Sequence, residues 1–282
     1  MRFQALTRVV GRANAGQLVL AEAGLRPAVR IPADGDRIGA MVEAIGAIGL
    51  EVAVGFDGVR SCPVAGRSGY SEWAERAPVR GSDPERSRYL YVGRERKHLE
   101  RLRRADEATD DEATGALLGY PACCVRRFAG LRAAAGTAPS DPVLQCYRDD
   151  APIPWQLNVS LLCYDAALIL YVPCRESCPA ALAQADEFFR CLLTRHPGVA
   201  RRLRRELTAT VVHSDECGIM AFSGTEAPDR LGITITAIHR CVSDSVVGAL
   251  ARVGEQIVCN RRYLKIGFVE FPRAVARLFR FE

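Results

Sequence analysis

A chain of 282 residues, 49% hydrophobic and 25% charged, can bury a sizeable core as one large domain or two small ones. Its net charge of +5 is spread over many arginines and balanced by many acids, so it admits an anionic ligand without demanding nucleic acid. Met1 to Val10 lacks the apolar stretch of a signal peptide, and the longest apolar run, Ala166 to Val172, is far too short to cross a bilayer. A soluble cytoplasmic protein without a membrane segment is therefore expected. In that reducing setting eleven cysteines do not make a disulfide framework.

In chain order, Phe3 to Ile31 reads as short strands around a turn at Arg12 to Gly16. From Asp36 the apolar residues Ile38, Met41, Val42, Ile45 and Ile48 follow a helical period, Gly49 is a terminator, and Glu51 to Phe56 reads as a strand. Asp57 to Arg88, rich in Gly, Pro, Ser and Arg, reads as a long loop or linker. Tyr89 to Val92 is a buried strand, followed by helices over Glu95–Ala105, Asp111–Leu118 and Pro121–Ala134. Ala135 to Trp155, with four prolines, is again loop-like. Leu157 to Val172 is apolar and ends in an expected strand over Leu168 to Val172, with helices predicted over Pro179–Thr194 and Val199–Leu207. Beyond Thr208 the pattern turns to strands, at Thr208–Val212, Gly218–Phe222, Leu231–His239 and Gln256–Cys259, with a last short helix from Pro272. The expectation is an α+β or α/β fold: an N-terminal α/β segment (1–57), a loop or linker (58–87), an α/β core (88–207) and a small β-rich C-terminal module (208–282).

Two distant segments carry the chemistry. Gly119-Tyr120-Pro121-Ala122-Cys123-Cys124 opens one helix, and Pro173-Cys174-Arg175-Glu176-Ser177-Cys178-Pro179 opens another. At helix N-termini, unpaired N–H groups and the positive end of the dipole favour thiolate, the form that binds metal or attacks an electrophile. Cys123, Cys124, Cys174 and Cys178 are therefore predicted to meet in one site. Four thiolates suit a 4Fe-4S cluster or zinc. Adjacent residues on a helix point about 100° apart, so Cys123 and Cys124 share a single small ion only at a frayed helix start. A bulkier cluster accepts the pair more readily, and the spacing is a poor match to structural zinc ribbons. Four core thiols is the bland alternative.

The other candidates weigh less. Cys146, Cys163, Cys191, Cys241 and Cys259 read as packing residues, and Cys62 as a loop thiol. His213-Ser214-Asp215-Glu216-Cys217 has the residue types of a metal or general-base site but also of a polar turn between strands, the preferred reading. His98 and His239 read as surface or satisfied residues, and His196 as lying just past a helix end. Arg126 and Arg127 are placed to stabilise thiolates or hold a carboxylate or phosphate, and Asn158 is a further polar contact. The basic run Arg201 to Arg205, with Arg101, Arg103 and Arg104, has the charge to contact RNA but no interleaved aromatics.

Over roughly Arg88 to Leu193 the sequence resembles an uncharacterised prokaryotic domain family, of unknown function and known mainly from archaea. The resemblance rests on Leu-Leu-Gly-Tyr-Pro-x-Cys-Cys-Val with a following aromatic, here Leu117 to Phe128, and on Pro-Cys-x-x-x-Cys, here Pro173 to Cys178. It implies that the four cysteines belong to a shared site and supplies no reaction.

The expected function is a Cys-ligated metalloprotein that binds an iron–sulfur cluster. As an enzyme it would be a lyase or sulfurtransferase using an open iron as a Lewis acid on a small anionic substrate, with Arg126, Arg127 and Asn158 around it. Three rivals remain: a structural zinc protein, an RNA-binding or RNA-modifying protein, and a metal-free thiol enzyme.

Overall fold

The computed structural model describes residues 3–62, 73–78, 87–135, 141–148, 152–214, 218–226, 232–241, 256–259, 263–266, 269–272 and 276–282. Across these residues it is a mixed α+β fold built on two antiparallel sheets.

The N-terminal segment corrects the expectation of strands. It forms α1 (Phe3–Val10) and α2 (Arg12–Glu22) before β1 (Ala28–Ala33). In α1 the apolar residues Phe3, Leu6 and Val10 do follow a helical spacing. In α2, by contrast, Ala13 and every residue from Ala15 to Ala21 are buried, so no amphipathic stripe marks the helix. Its N-terminus is capped from far away in the chain: the Asp165 carboxylate accepts the N–H groups of Arg12 and of Ala13, the latter at 2.8 Å.

α3 (Ile38–Gly46) leads into the first sheet, ordered β1-β4-β2-β3, with β2 (Glu51–Cys62), β3 (Trp73–Pro78) and β4 (Ser87–Gly93). The segment expected to be a linker thus contains the end of β2 and all of β3, paired Asp57 to Pro78 through Cys62 to Trp73. Alternation along β4 explains why both sheet faces are covered. Leu90 and Val92 join Val29, Ile31, Met41 and Ile45 beneath α1 to α3, while Tyr91 joins Leu99, Leu102 and Leu118 on the opposite face. That opposite face receives α4 (Arg96–Glu107) and α5 (Asp111–Leu117).

The turn from α5 to α6 (Ala122–Ala135) is fixed by two glycines. Gly119 has φ +75, and a Cβ there would lie 2.6 Å from Pro27 Cδ; a Cβ on Gly115 would lie 2.7 Å from Val125 Cγ2. α7 (Pro142–Cys146), capped by Asp141, interrupts the stretch expected to be loop. Two 3-10 turns follow at Trp155–Leu157 and Ser160–Tyr164. Residues 168–172, expected to be a strand, are irregular, with Leu168, Ile169 and Tyr171 buried. Here the Leu168 carbonyl accepts the Gln17 side chain at 2.8 Å. The anticipated strand–turn–helix therefore gives way to an irregular approach to α8 (Pro179–Arg195), which packs on α9 (Pro197–Leu207) and α2.

The second sheet runs β10-β9-β8-β7-β6-β5-β11, comprising β5 (Thr210–Ser214), β6 (Gly218–Glu226), β7 (Gly232–Cys241), β8 (Gln256–Cys259), β9 (Tyr263–Ile266), β10 (Val269–Pro272) and β11 (Ala276–Phe279). Where a final helix was expected from Pro272, β10 ends and β11 follows. The sheet is joined closely to the helical part. Val211, Ile219, Ala221, Phe279 and Phe281 share one core with Cys124, Cys178, Phe188 and Leu203. Past β11 the chain end is fastened by the Ile153 N–H to the Arg280 carbonyl (2.8 Å) and the Glu282 N–H to the Ile153 carbonyl (2.9 Å).

Candidate metal centre

Both cysteine motifs reach the same point because each opens a helix. Pro121 precedes α6, and its carbonyl accepts the N–H groups of Cys124 (2.9 Å) and Val125 (3.0 Å), a tight first turn that places Cys123 and Cys124 at the helix start. Cys178 is the residue before Pro179, the first of α8, and its own N–H bonds back to the Arg175 carbonyl at 3.2 Å, closing a turn that starts just after Cys174.

The sulfurs of Cys123, Cys124, Cys174 and Cys178 all lie within 4.8 Å of one another. Cys123 Sγ is 3.9 Å from Cys124 Sγ and 3.7 Å from Cys178 Sγ, and Cys124 Sγ is also 3.7 Å from Cys178 Sγ. The expected convergence is present, and the adjacent pair takes part in it from the first turn of α6. Cys124 and Cys178 are buried, while Cys123 and Cys174 are half-buried, so the group sits just beneath the surface. The Cys174 N–H points at Cys124 Sγ from 3.4 Å.

Electrostatics distinguish Cys124, Cys174 and Cys178. Burial pushes the Cys124 thiol well up, only partly offset by the Cys174 N–H. Burial, together with the neighbouring Cys178 and Cys123, pushes Cys174 up to about 11. At Cys178 burial also acts upward, but the Ala181 backbone N–H at the head of α8 and the three surrounding thiols outweigh it, leaving this thiol below its ordinary value. Four packed sulfurs cannot all carry charge in the absence of a cation. This donor set is one that a divalent ion stabilises, and it could hold a metal ion.

The remaining candidates are placed differently. Arg126 and Arg127 are exposed on α6. Burial raises the Cys146 thiol and the Arg127 guanidinium acts against that rise; Cys146 lies outside the four-cysteine group. Asn158 is fully buried and donates to the Leu207 carbonyl at the end of α9 (2.8 Å). His98 meets the Leu117 carbonyl at 2.8 Å. His196 caps the junction of α8 and α9 and packs against Phe3. In the basic run, Arg202 pairs with Glu206 and Arg204 stacks over Trp155. Asp215, Glu216 and Cys217, and the side chains of Cys62, His239, Cys241 and Cys259, lie outside the described residues.

Sequence reasoning missed the partners of His213. Instead of a polar turn, this side chain is wholly buried on β5, with Nε2 2.6 Å from Asp141 Oδ2 and Nδ1 3.2 Å from Ser160 Oγ. It also missed two tyrosines. Each motif carries a tyrosine three residues before its first cysteine, Tyr120 and Tyr171, and their rings stack with centroids 4.6 Å apart. Gln184 of α8 ties Tyr171 to the turn before Tyr120, accepting from the Tyr171 hydroxyl (2.7 Å) and donating to the Gly119 carbonyl (2.8 Å). The repeated Tyr-x-x-Cys spacing was the available signal.

Fold and site together define an α+β protein with a four-cysteine group suited to a metal ion, and no helix of the described residues is long and apolar enough to cross a membrane. Compared with known proteins, the chain matches no family model, no curated protein and no solved structure.

Proposed function

We propose that the chain is a zinc protein in which Cys123, Cys124, Cys174 and Cys178 hold one ion in a closed tetrahedral shell. The observation that carries this reading is the sulfur spacing. Ligands about 2.3 Å from a tetrahedral centre stand about 3.8 Å apart; here the three pairs among Cys123, Cys124 and Cys178 are 3.7, 3.7 and 3.9 Å apart, and Cys174 Sγ lies within 4.8 Å of each. In a cubane cluster each thiolate takes a different iron, which spreads the sulfurs well beyond such contact. The iron–sulfur expectation would therefore require the two helix starts to move apart.

Zinc bound this way supplies no open position, so its work is to lock the starts of α6 and α8 to each other. The protein's own residues already prepare that arrangement: the Pro121 turn, the Arg175–Cys178 turn, the Cys174 N–H on Cys124, and the Gln184 tie. The family suggested by the Gly-Tyr-Pro-x-Cys-Cys and Pro-Cys-x-x-x-Cys motifs would on this reading share the same centre.

The experiment is thermal unfolding of the purified chain before and after removal of metal by a strong chelator, with zinc then restored. The expected result is a marked fall in the midpoint that zinc reverses, since metal bound only by the folded state adds its binding free energy to stability. An unchanged midpoint overturns the reading.

A further inference from the structure

Arg26 lies in the bend between α2 and β1 and is 3% exposed. Its Nε donates to the Ala28 carbonyl at 3.1 Å, and Nη1 donates to Gln17 Oε1. Nη2 is buried without a hydrogen-bond partner, and no carboxylate pairs with the guanidinium among the described residues. Nearby Arg30, by contrast, has its acid: Asp106 lies 2.5 Å away and also takes the Tyr91 hydroxyl. A guanidinium withdrawn from water without a counter-charge carries a penalty of several kcal/mol. Some negative charge close by is called for.

The contacts of Arg26 lead toward the cysteines. Its guanidinium carbon lies 5.0 Å from the centroid of the Tyr120 ring, and Tyr120 stacks on Tyr171 at 4.6 Å. Those tyrosines stand three residues before Cys123 and Cys174 respectively, and Tyr120 and Tyr171 share a core with Cys124 and Cys178. The Tyr171 hydroxyl registers both ends of this stack. Burial and the Cys124 thiol push its pKa up, the Arg26 guanidinium pulls it down, and Cys178 adds to the rise.

We propose that Arg26 is the counter-cation of the cysteine centre, held in place by the Tyr120–Tyr171 stack. The inference rests on the metal reading above. Four thiolates around a divalent ion carry a net charge of −2, and Arg26 is a buried positive charge in contact with Tyr120, whose ring packs against Tyr171. Arg26 ligates nothing. It is an electrostatic residue that favours the fully deprotonated, metal-loaded sulfurs through space.

The test uses the full chain with Arg26→Gln and Arg26→Lys. Zinc affinity is measured by competition with a chromophoric chelator, and the stability of each metal-free form is measured separately in denaturant. Arg26→Gln keeps hydrogen-bonding capacity without charge and is expected to lose zinc affinity. Arg26→Lys keeps the charge but loses the planar fork, and is expected to recover most of that affinity while its metal-free form is destabilised as much as that of Arg26→Gln. Equal affinity losses in the two variants, tracking their metal-free stabilities, would show a merely structural arginine and overturn the proposal. So would wild-type affinity in Arg26→Gln. If the unaltered chain takes up no zinc, the metal reading itself fails and this inference falls with it; zinc uptake by the unaltered chain with no dependence on charge at position 26 removes this inference alone.

Discussion

Replacing Asp141 with Ala tests how the second sheet is fastened to the helical core. Asp141 has two tasks in one buried carboxylate. Oδ1 accepts the Val143 N–H at 2.8 Å, capping α7, and Oδ2 lies 2.6 Å from His213 Nε2 on β5. Since a carboxylate only accepts, the proton sits on Nε2, and Nδ1 is left for the Ser160 hydroxyl at 3.2 Å. Removing the carboxylate abolishes the cap, worth about 0.5–2 kcal/mol, and strands a buried imidazole N–H, worth about 1–3 kcal/mol. The two tasks share a carboxylate and are not independent, so a combined loss of about 2–4 kcal/mol is expected. Asp141→Asn keeps an oxygen for the cap and should lose less. The assay is urea unfolding followed by far-ultraviolet circular dichroism, with His213→Ala and the double variant completing a cycle. An Asp141→Ala loss below about 0.5 kcal/mol, the range of ordinary surface changes, or strict additivity with His213→Ala, would refute the network.

Three further outcomes are expected. Gly119→Ala places a side chain at φ +75 against Pro27 and should cost about 1–3 kcal/mol in thermal or chemical unfolding; a neutral substitution would contradict the close approach. Ser substitution of Cys123, Cys124, Cys174 or Cys178 should each cut the thiolate-to-cobalt absorption of the cobalt-loaded chain, while Cys163→Ser and Cys191→Ser leave it unchanged. Burial and the Arg195 guanidinium hold the His196 pKa below its ordinary value, so the folded state binds this proton less readily than the unfolded chain. Its contribution is present above about pH 6.5 and is lost as pH falls through that range, and His196→Gln should flatten the decline of melting temperature on the acid side.

The site was more legible than the fold around it. Proline beside each cysteine pair marked two helix starts, and that local chemistry survives in the structure because helix entry depends on a few adjacent residues. The helices α3, α4 and α8 also followed their apolar period, whereas Phe128 of α6, expected in its stripe, is exposed. What failed was set at long range. α2 is buried nearly all round and capped by Asp165, so neither its pattern nor its own start announced a helix. Residues 168–172 have the composition of a strand, yet they join neither sheet of the described residues, and a Gln17 side chain takes the Leu168 carbonyl. β3 sits in a stretch whose Gly and Pro content reads as loop, and it is a strand through its pairing with β2. His213 looked like a turn residue because its partners, Asp141 and Ser160, come from distant segments.

The most direct measurement is the metal and acid-labile sulfide content of the chain purified anaerobically, read with its visible spectrum. The account predicts about one zinc ion per chain, no labile sulfide and no visible band. Several irons with matching sulfide, or a chain with no bound metal that takes up none when zinc is supplied, would contradict it.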